Sequence, residues 1–86
     1  MPEISRFFGI VIRMYYNDHQ PPHFHACYGK DEVAMRIDPV GVLHGDLSPR
    51  SMSLVFEWAL LHERELLENW RLARAGQPLI PIEGLK

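Results

Sequence analysis

Residues 18–29, DHQPPHFHACYG, hold three of the chain's five histidines within seven residues, beside an aspartate, two prolines, the only cysteine and a tyrosine. His23 and His25 are two apart, so on a strand both imidazoles point to one face. Two imidazoles on one face begin a metal site, which Asp18 and His19 could close from the adjoining loop. Spacing alone fixes no third ligand and no particular divalent metal. The same pair suits chemistry without any cofactor. Histidine titrates near neutral pH, so one ring can take a proton and the other return it. In phosphodiester cleavage, one imidazole would deprotonate the 2′-hydroxyl and the other protonate the leaving oxygen. Arg13 or Arg36 would stabilise the phosphate charge. The plain alternative is a set of partly solvated histidines, hydrogen-bonded around a proline turn.

Other residues add weaker signals. Tyr28, with Tyr15 and Tyr16, could stack on bases or donate to phosphate, although tyrosines in small sheets commonly pack across strands. Cys27 could pair with histidine as a nucleophile, but a lone cysteine is more simply a small buried apolar residue. His62 falls on the apolar stripe of a helix. There it is either a buried histidine held by one hydrogen bond or a further contact for His23 and His25, depending on which sheet face the helix covers.

The elements that must position these groups are legible in outline. Residues 10–15 alternate, with Ile10, Ile12 and Met14 on one face and Val11, Arg13 and Tyr15 on the other. Gly9 marks a bend before this strand, and residues 17–22 carry rigid turn chemistry. Residues 23–28 form a second strand. The hairpin signal YGKDE leads to a third, in which Val33, Met35 and Ile37 alternate with Ala34, Arg36 and Asp38. Arg13 and Arg36 would then share a face with His23 and His25, and Phe24 and Ala26 would join Ile12 and Met35 in the core. Ser48 as N-cap and Pro49 at the first helical position open a helix that Gly76 and Pro78 end. Met52, Val55, Ala59, His62, Leu66, Trp70 and Ala73 share its apolar face. The expected architecture is α+β: a small antiparallel sheet of three to four strands packed against one long C-terminal helix, with a short apolar tail. As a single domain over residues 1–86, it divides into a sheet at about 4–38, a connecting loop at 39–47, the helix at about 48–75 and the tail at 76–86.

Composition narrows the function classes. A net charge of −2 over 86 residues argues against holding nucleic acid by bulk electrostatics. One cysteine permits neither an internal disulfide nor a cysteine-based zinc cluster, which fits a reducing compartment. No stretch approaches the roughly 20 apolar residues of a membrane span, and the first residues lack a signal-peptide pattern. The expected location is cytoplasmic.

Three stretches together, ISRFFGIVIRMYYNDHQPPHFHACYG, LVFEWALLHERELLENW and GQPLIPIEGL, resemble the small bacterial family called domain of unknown function 4160. The resemblance runs from about residue 4 to 85. It implies a component of a toxin–antitoxin-like gene pair, with this chain the toxin and a small protein encoded by the neighbouring gene its antidote. The histidine strand would be the active or recognition surface. The matching positions are Asp18, His19, Pro22, His23, His25 and Tyr28, with His62 on the helix. Three functions follow: a toxin acting on RNA or another central process, a non-enzymatic module that binds a partner, or a small metal-binding protein. The exposed sheet and apolar tail leave room for a homodimer.

Overall fold

A computed structural model describes residues 2–86; Met1, the first residue of the expected single domain, lies outside them. The described residues form five strands and two helices: β1 (Glu3–Phe7), β2 (Ile10–Arg13), β3 (His23–Tyr28), β4 (Asp31–Arg36), β5 (Gly41–Gly45), α1 (Pro49–Leu61) and α2 (Glu63–Arg74). The strands make one antiparallel meander in sequence order. At the first turn, Phe8 and Gly9 both take positive φ, 49° and 80°, which matches the right-handed twist of the flanking strands. Gly29, at φ 60°, turns the chain between β3 and β4.

Alternation sets the core. Ile10, Ile12, Met14, Phe24, Ala26, Val33 and Met35 lie on the covered face of the sheet, and all are fully buried. Val55, Trp58, Ala59 and Leu66 close over them from the helices. Trp58 is the centre of this layer. Its ring packs on Phe7 and Phe24 at centroid distances of 5.3 and 5.8 Å, and its Nε1–H donates to the Glu83 carbonyl at 2.9 Å.

Two expectations are corrected. The sheet has five strands rather than three or four, because residues 41–45 of the supposed connecting loop pair with β4. This strand is glycine-bounded and shifted in register near Ala34 and Met35, so it lacks the clean alternation that marks a strand in sequence. The single long helix is two helices, broken at His62 (φ −119°, ψ 26°). No proline or glycine announces the break. The His62 N–H reaches both the Trp58 and Ala59 carbonyls, and the Leu66 N–H still reaches the His62 carbonyl, so the apolar period runs straight through. Trp58 replaces His62 at the middle of the buried face.

The ends of the helical layer follow the sequence signals. The Ser51 N–H donates to Ser48 Oγ at 3.3 Å, and Pro49 follows the cap. At the other end the Gly76 N–H reaches the Ala73 carbonyl and the Gln77 N–H reaches Leu72, with Gly76 at φ 71°. The tail then returns to the sheet, where the Ile82 N–H donates to the Ile4 carbonyl at 2.7 Å beside β1.

Candidate functional site

Register places the polar face. Arg13 pairs with His25 across β2 and β3, and His23 pairs with Arg36 across β3 and β4. Directly opposed residues of an antiparallel pair share a face. The two histidines and two arginines therefore stand on the sheet face away from the core, as their alternation implies.

The loop after β2 brings Asp18 to the two rings. Asp18 Oδ2 lies 3.0 Å from His23 Nε2 and 3.4 Å from His25 Nε2. These three ligand atoms all lie within 4.8 Å of one another. The opposite nitrogen of each ring is already engaged. His23 Nδ1 lies 2.7 Å from the Pro21 carbonyl oxygen, and His25 Nδ1 lies 2.8 Å from Glu32 Oε2. Both of those oxygens can only accept, so both Nδ1 atoms carry hydrogen and donate. Each Nε2 then faces a carboxylate, an arrangement that needs a proton or a shared cation between them.

The surroundings fix the cluster in place. Trp70 packs on the His23 ring at 5.2 Å, leaving that residue 2% exposed. Tyr15 meets His25 edge-on at 4.6 Å. Arg74 donates to the Asp18 carbonyl at 3.1 Å, and the Tyr16 hydroxyl donates to the Gln77 carbonyl at 2.9 Å. The C-terminal end of α2 thus clasps the loop that carries Asp18. Asp18 Oδ1 accepts from the His19 backbone N–H at 2.9 Å and lies 3.0 Å from His19 Nδ1. Burial raises the Asp18 pKa, but the His19 N–H, the His25 hydrogen bond and the two imidazoles outweigh it and hold the carboxyl below its ordinary range.

The remaining sequence candidates divide. His19 touches the cluster through Asp18, with its ring largely in solvent. Arg13 points its guanidinium toward Cys27 Sγ at 3.9 Å, and Arg36 donates to the Pro39 carbonyl at 3.0 Å. Burial, then the nearby Glu32 charge, push the Cys27 thiol up, which opposes a nucleophilic role. Tyr28 lies at the hairpin end of β3, against Gly9. His62 pairs with Glu65 and packs on Trp58, on the core side of the sheet. Glu32, Trp70 and Arg74 were not singled out from the sequence. For Glu32 a signal existed: a two-residue turn at Gly29 and Lys30 sets Cys27 opposite Glu32, which makes Glu32 the diagonal neighbour of His25.

These features define a small α+β domain with an aspartate–histidine cluster on the sheet face opposite Phe24 and Met35, closed over at His23 by Trp70. The family model for the domain of unknown function DUF4160 matches residues 9–71, and the chain belongs to that family. The match takes in the whole histidine segment and α1. No curated protein and no solved structure matches the chain. Among the described residues, no helix is long and apolar enough to cross a membrane.

Proposed function

We propose that the chain binds one divalent metal ion through Asp18, His23 and His25, and that this centre is its functional site. One observation carries the reading. Two imidazoles, each with Nδ1–H donated to a fixed acceptor, converge their Nε2 atoms on one carboxylate oxygen. Metal-binding histidines are oriented in this way, by a carbonyl or carboxylate on the far nitrogen. Zinc–ligand bonds of about 2.0–2.2 Å in a tetrahedron set ligand atoms about 3.3 Å apart. The Asp18–His23 and Asp18–His25 separations of 3.0 and 3.4 Å are of that size. Imidazole and carboxylate ligands suit zinc and its first-row neighbours.

Three protein ligands leave a position for water or substrate, which is the pattern of catalytic rather than structural zinc. A metal there would supply Lewis acidity and an activated water. The chain's own residues do the rest. Pro21 and Glu32 hold the rings, Trp70 excludes water from His23, and Arg74 fixes the Asp18 loop. His19 stands on the solvent side, its Nδ1 3.0 Å from the other Asp18 oxygen.

The cofactor-free acid–base reading has less support. His23 is buried and aimed at Asp18, so it is poorly placed to meet a phosphodiester, and Arg13 and Arg36 are turned toward Cys27 and Pro39. The toxin role, with a neighbouring gene's protein as antidote and RNA or another cytoplasmic process as target, rests on the family resemblance. On that reading the metal centre is the toxic chemistry, and His25→Ala relieves growth arrest.

The test is metal titration. Chelator-treated protein takes up one cobalt or zinc ion per chain, and cobalt gives the visible absorption of a low-coordinate site. His25→Ala and Asp18→Asn lose both signals while their circular dichroism stays native. Absence of saturable binding by the folded native chain overturns the proposal.

A further inference from the structure

Access to the aspartate–histidine cluster is narrow. The side chains of His23, His25 and Asp18 are 2%, 12% and 16% exposed. A metal held by them meets solvent over a small area, enough for water or the end of a ligand but not for the middle of a chain. Trp70 and Arg74 stand one turn apart on α2, so they share a side of that helix. Trp70 covers the His23 ring, and Arg74 Nη1 donates to the Asp18 carbonyl at 3.1 Å. Among the described residues, Arg74 Nε and Nη2 have no acceptor, and the side chain is exposed. A guanidinium is a planar fork of five N–H donors. With only Nη1 engaged, the rest of that fork is open at the rim of the cluster.

Charge selects what the fork meets. Arg13 stands directly opposite His25, and Arg36 directly opposite His23. Among the described residues, Arg13, Arg36 and Arg74 form no ion pair with a carboxylate, whereas Arg6, Arg71 and Lys86 each do. The groups they approach are neutral: the Cys27 sulfur, the Pro39 carbonyl and the Asp18 carbonyl. With a divalent metal in place, positive charge at the centre outweighs the carboxylates of Asp18 and Glu32. The chain as a whole stands at −2, so this positive field is local. A partly enclosed positive site draws anions and holds them more strongly than open water allows.

We infer that the centre takes a terminal phosphate group, with one oxygen on the metal's open position and others on the free N–H groups of Arg74; this rests on the metal reading above. Arginine's fork matches phosphate oxygens in pairs, which a point charge does not. Arg13 and Arg36, turned toward Cys27 and Pro39, act on the ligand through their charge. A phosphate monoester carries close to two negative charges at neutral pH, more than a carboxylate or a diester, and so answers the excess positive charge best. A diester also brings two substituents to an approach that admits one end.

Titration of the cobalt-saturated full chain with inorganic phosphate tests it. Phosphate shifts the visible cobalt absorption saturably. Phenyl phosphate competes with it, and a dinucleoside monophosphate, whose one phosphate is a diester, does not. In cobalt-saturated Arg74→Gln, phosphate binds about tenfold or more weakly. Imidazole, a neutral ligand for the same metal position, binds that variant and the native chain alike. Arg36→Gln, which leaves the Asp18 loop untouched, weakens phosphate by a smaller factor and does not change imidazole. The two readings fail separately. A native chain that takes up no cobalt removes the metal centre and this inference with it. Cobalt uptake with no response to phosphate, or with equal phosphate affinity in Arg74→Gln, overturns the inference and leaves the metal centre standing. Parallel loss of imidazole and phosphate in Arg74→Gln makes Arg74 a support for the loop alone and also overturns it. A dinucleoside monophosphate that competes as well as phenyl phosphate overturns the restriction to terminal groups.

Discussion

Glu32 on β4 accepts from His25 on β3, with its Oε2 2.8 Å from Nδ1 across a diagonal of the hairpin. The carboxylate engages Nδ1 of His25 and turns the ring so that Nε2 faces Asp18. Glu32 is itself exposed and makes no contribution to the core. Glu32→Ala should therefore leave thermal stability nearly unchanged and weaken metal affinity by about 10- to 100-fold, the usual effect of removing the acceptor behind a metal-bound histidine. Calorimetric titration of both proteins measures this. Equal affinities would show that Glu32 does not orient His25.

Asp18 gives a pH dependence with a definite sign. Its folded-state pKa is lowered, so it contributes stability that is fully present above the ordinary aspartate value of about 3.9. That stability is lost as pH falls through the folded value. Metal-free native protein should lose melting temperature as pH drops below about 4 more steeply than Asp18→Asn does. At neutral pH Asp18→Asn should be the less stable of the two. Thermal melts across this range, in the presence of chelator, compare the slopes. Parallel curves would mean that the Asp18 contacts contribute nothing to the metal-free fold.

Two glycines with similar backbone angles should respond differently to alanine. Gly45 (φ 85°) and Gly76 (φ 71°) both sit where a Cβ is disfavoured by about 1–2 kcal/mol. A Cβ on Gly76 meets open space, whereas one on Gly45 would lie 2.4 Å from the Glu32 carbonyl oxygen. Gly76→Ala should cost about that conformational term alone. Gly45→Ala should cost clearly more and displace β5 from β4. Because the clash falls on Glu32, it should also weaken metal binding, an effect Gly76→Ala lacks. Chemical denaturation and metal titration of the two variants decide it.

Much of this layout was legible in the sequence. The alternation of Ile10, Ile12 and Met14 against Arg13 and Tyr15 assigned the faces of β2, and the two-residue spacing of His23 and His25 set them together. Ser48, Pro49 and Gly76 marked the ends of the helical layer through hydrogen bonds local to each end. What escaped was non-local or lacked a local signal. β5 is a strand because β4 offers it partners, and its glycines hide the period. The break at His62 alters backbone angles without altering the apolar repeat. Trp70 and Arg74 reach the cluster from some fifty residues away along the chain, across a tertiary contact that no spacing rule encodes. The convergence of His23 and His25 on Asp18 depended on the path of the proline loop.

Asn69 should control the tail. Its side chain is 1% exposed, a rare position for an amide, and both of its ends serve one residue. Nδ2 donates to the Ile80 carbonyl at 2.8 Å, and Oδ1 accepts from the Ile80 N–H at 2.8 Å. This clamp holds the segment that places Ile82 beside β1 and the Glu83 carbonyl on Trp58. Two hydrogen bonds at about 1 kcal/mol each set the scale for Asn69→Ala, so a loss of about 2 kcal/mol is expected. Asn69→Asp should be worse, because it keeps the acceptor for the Ile80 N–H but turns a buried carboxylate toward the Ile80 carbonyl. In both variants hydrogen exchange should quicken at the Ile82 amide before it does in β3. Trp58 fluorescence should shift as its Nε1–H loses Glu83. Asn69 makes its hydrogen bonds to Ile80 and none to Asp18, His23 or His25, so metal titration of the variants should match that of the native chain. Unchanged exchange at Ile82 would mean that the tail is held by apolar packing of Ile82 rather than by the Asn69 clamp.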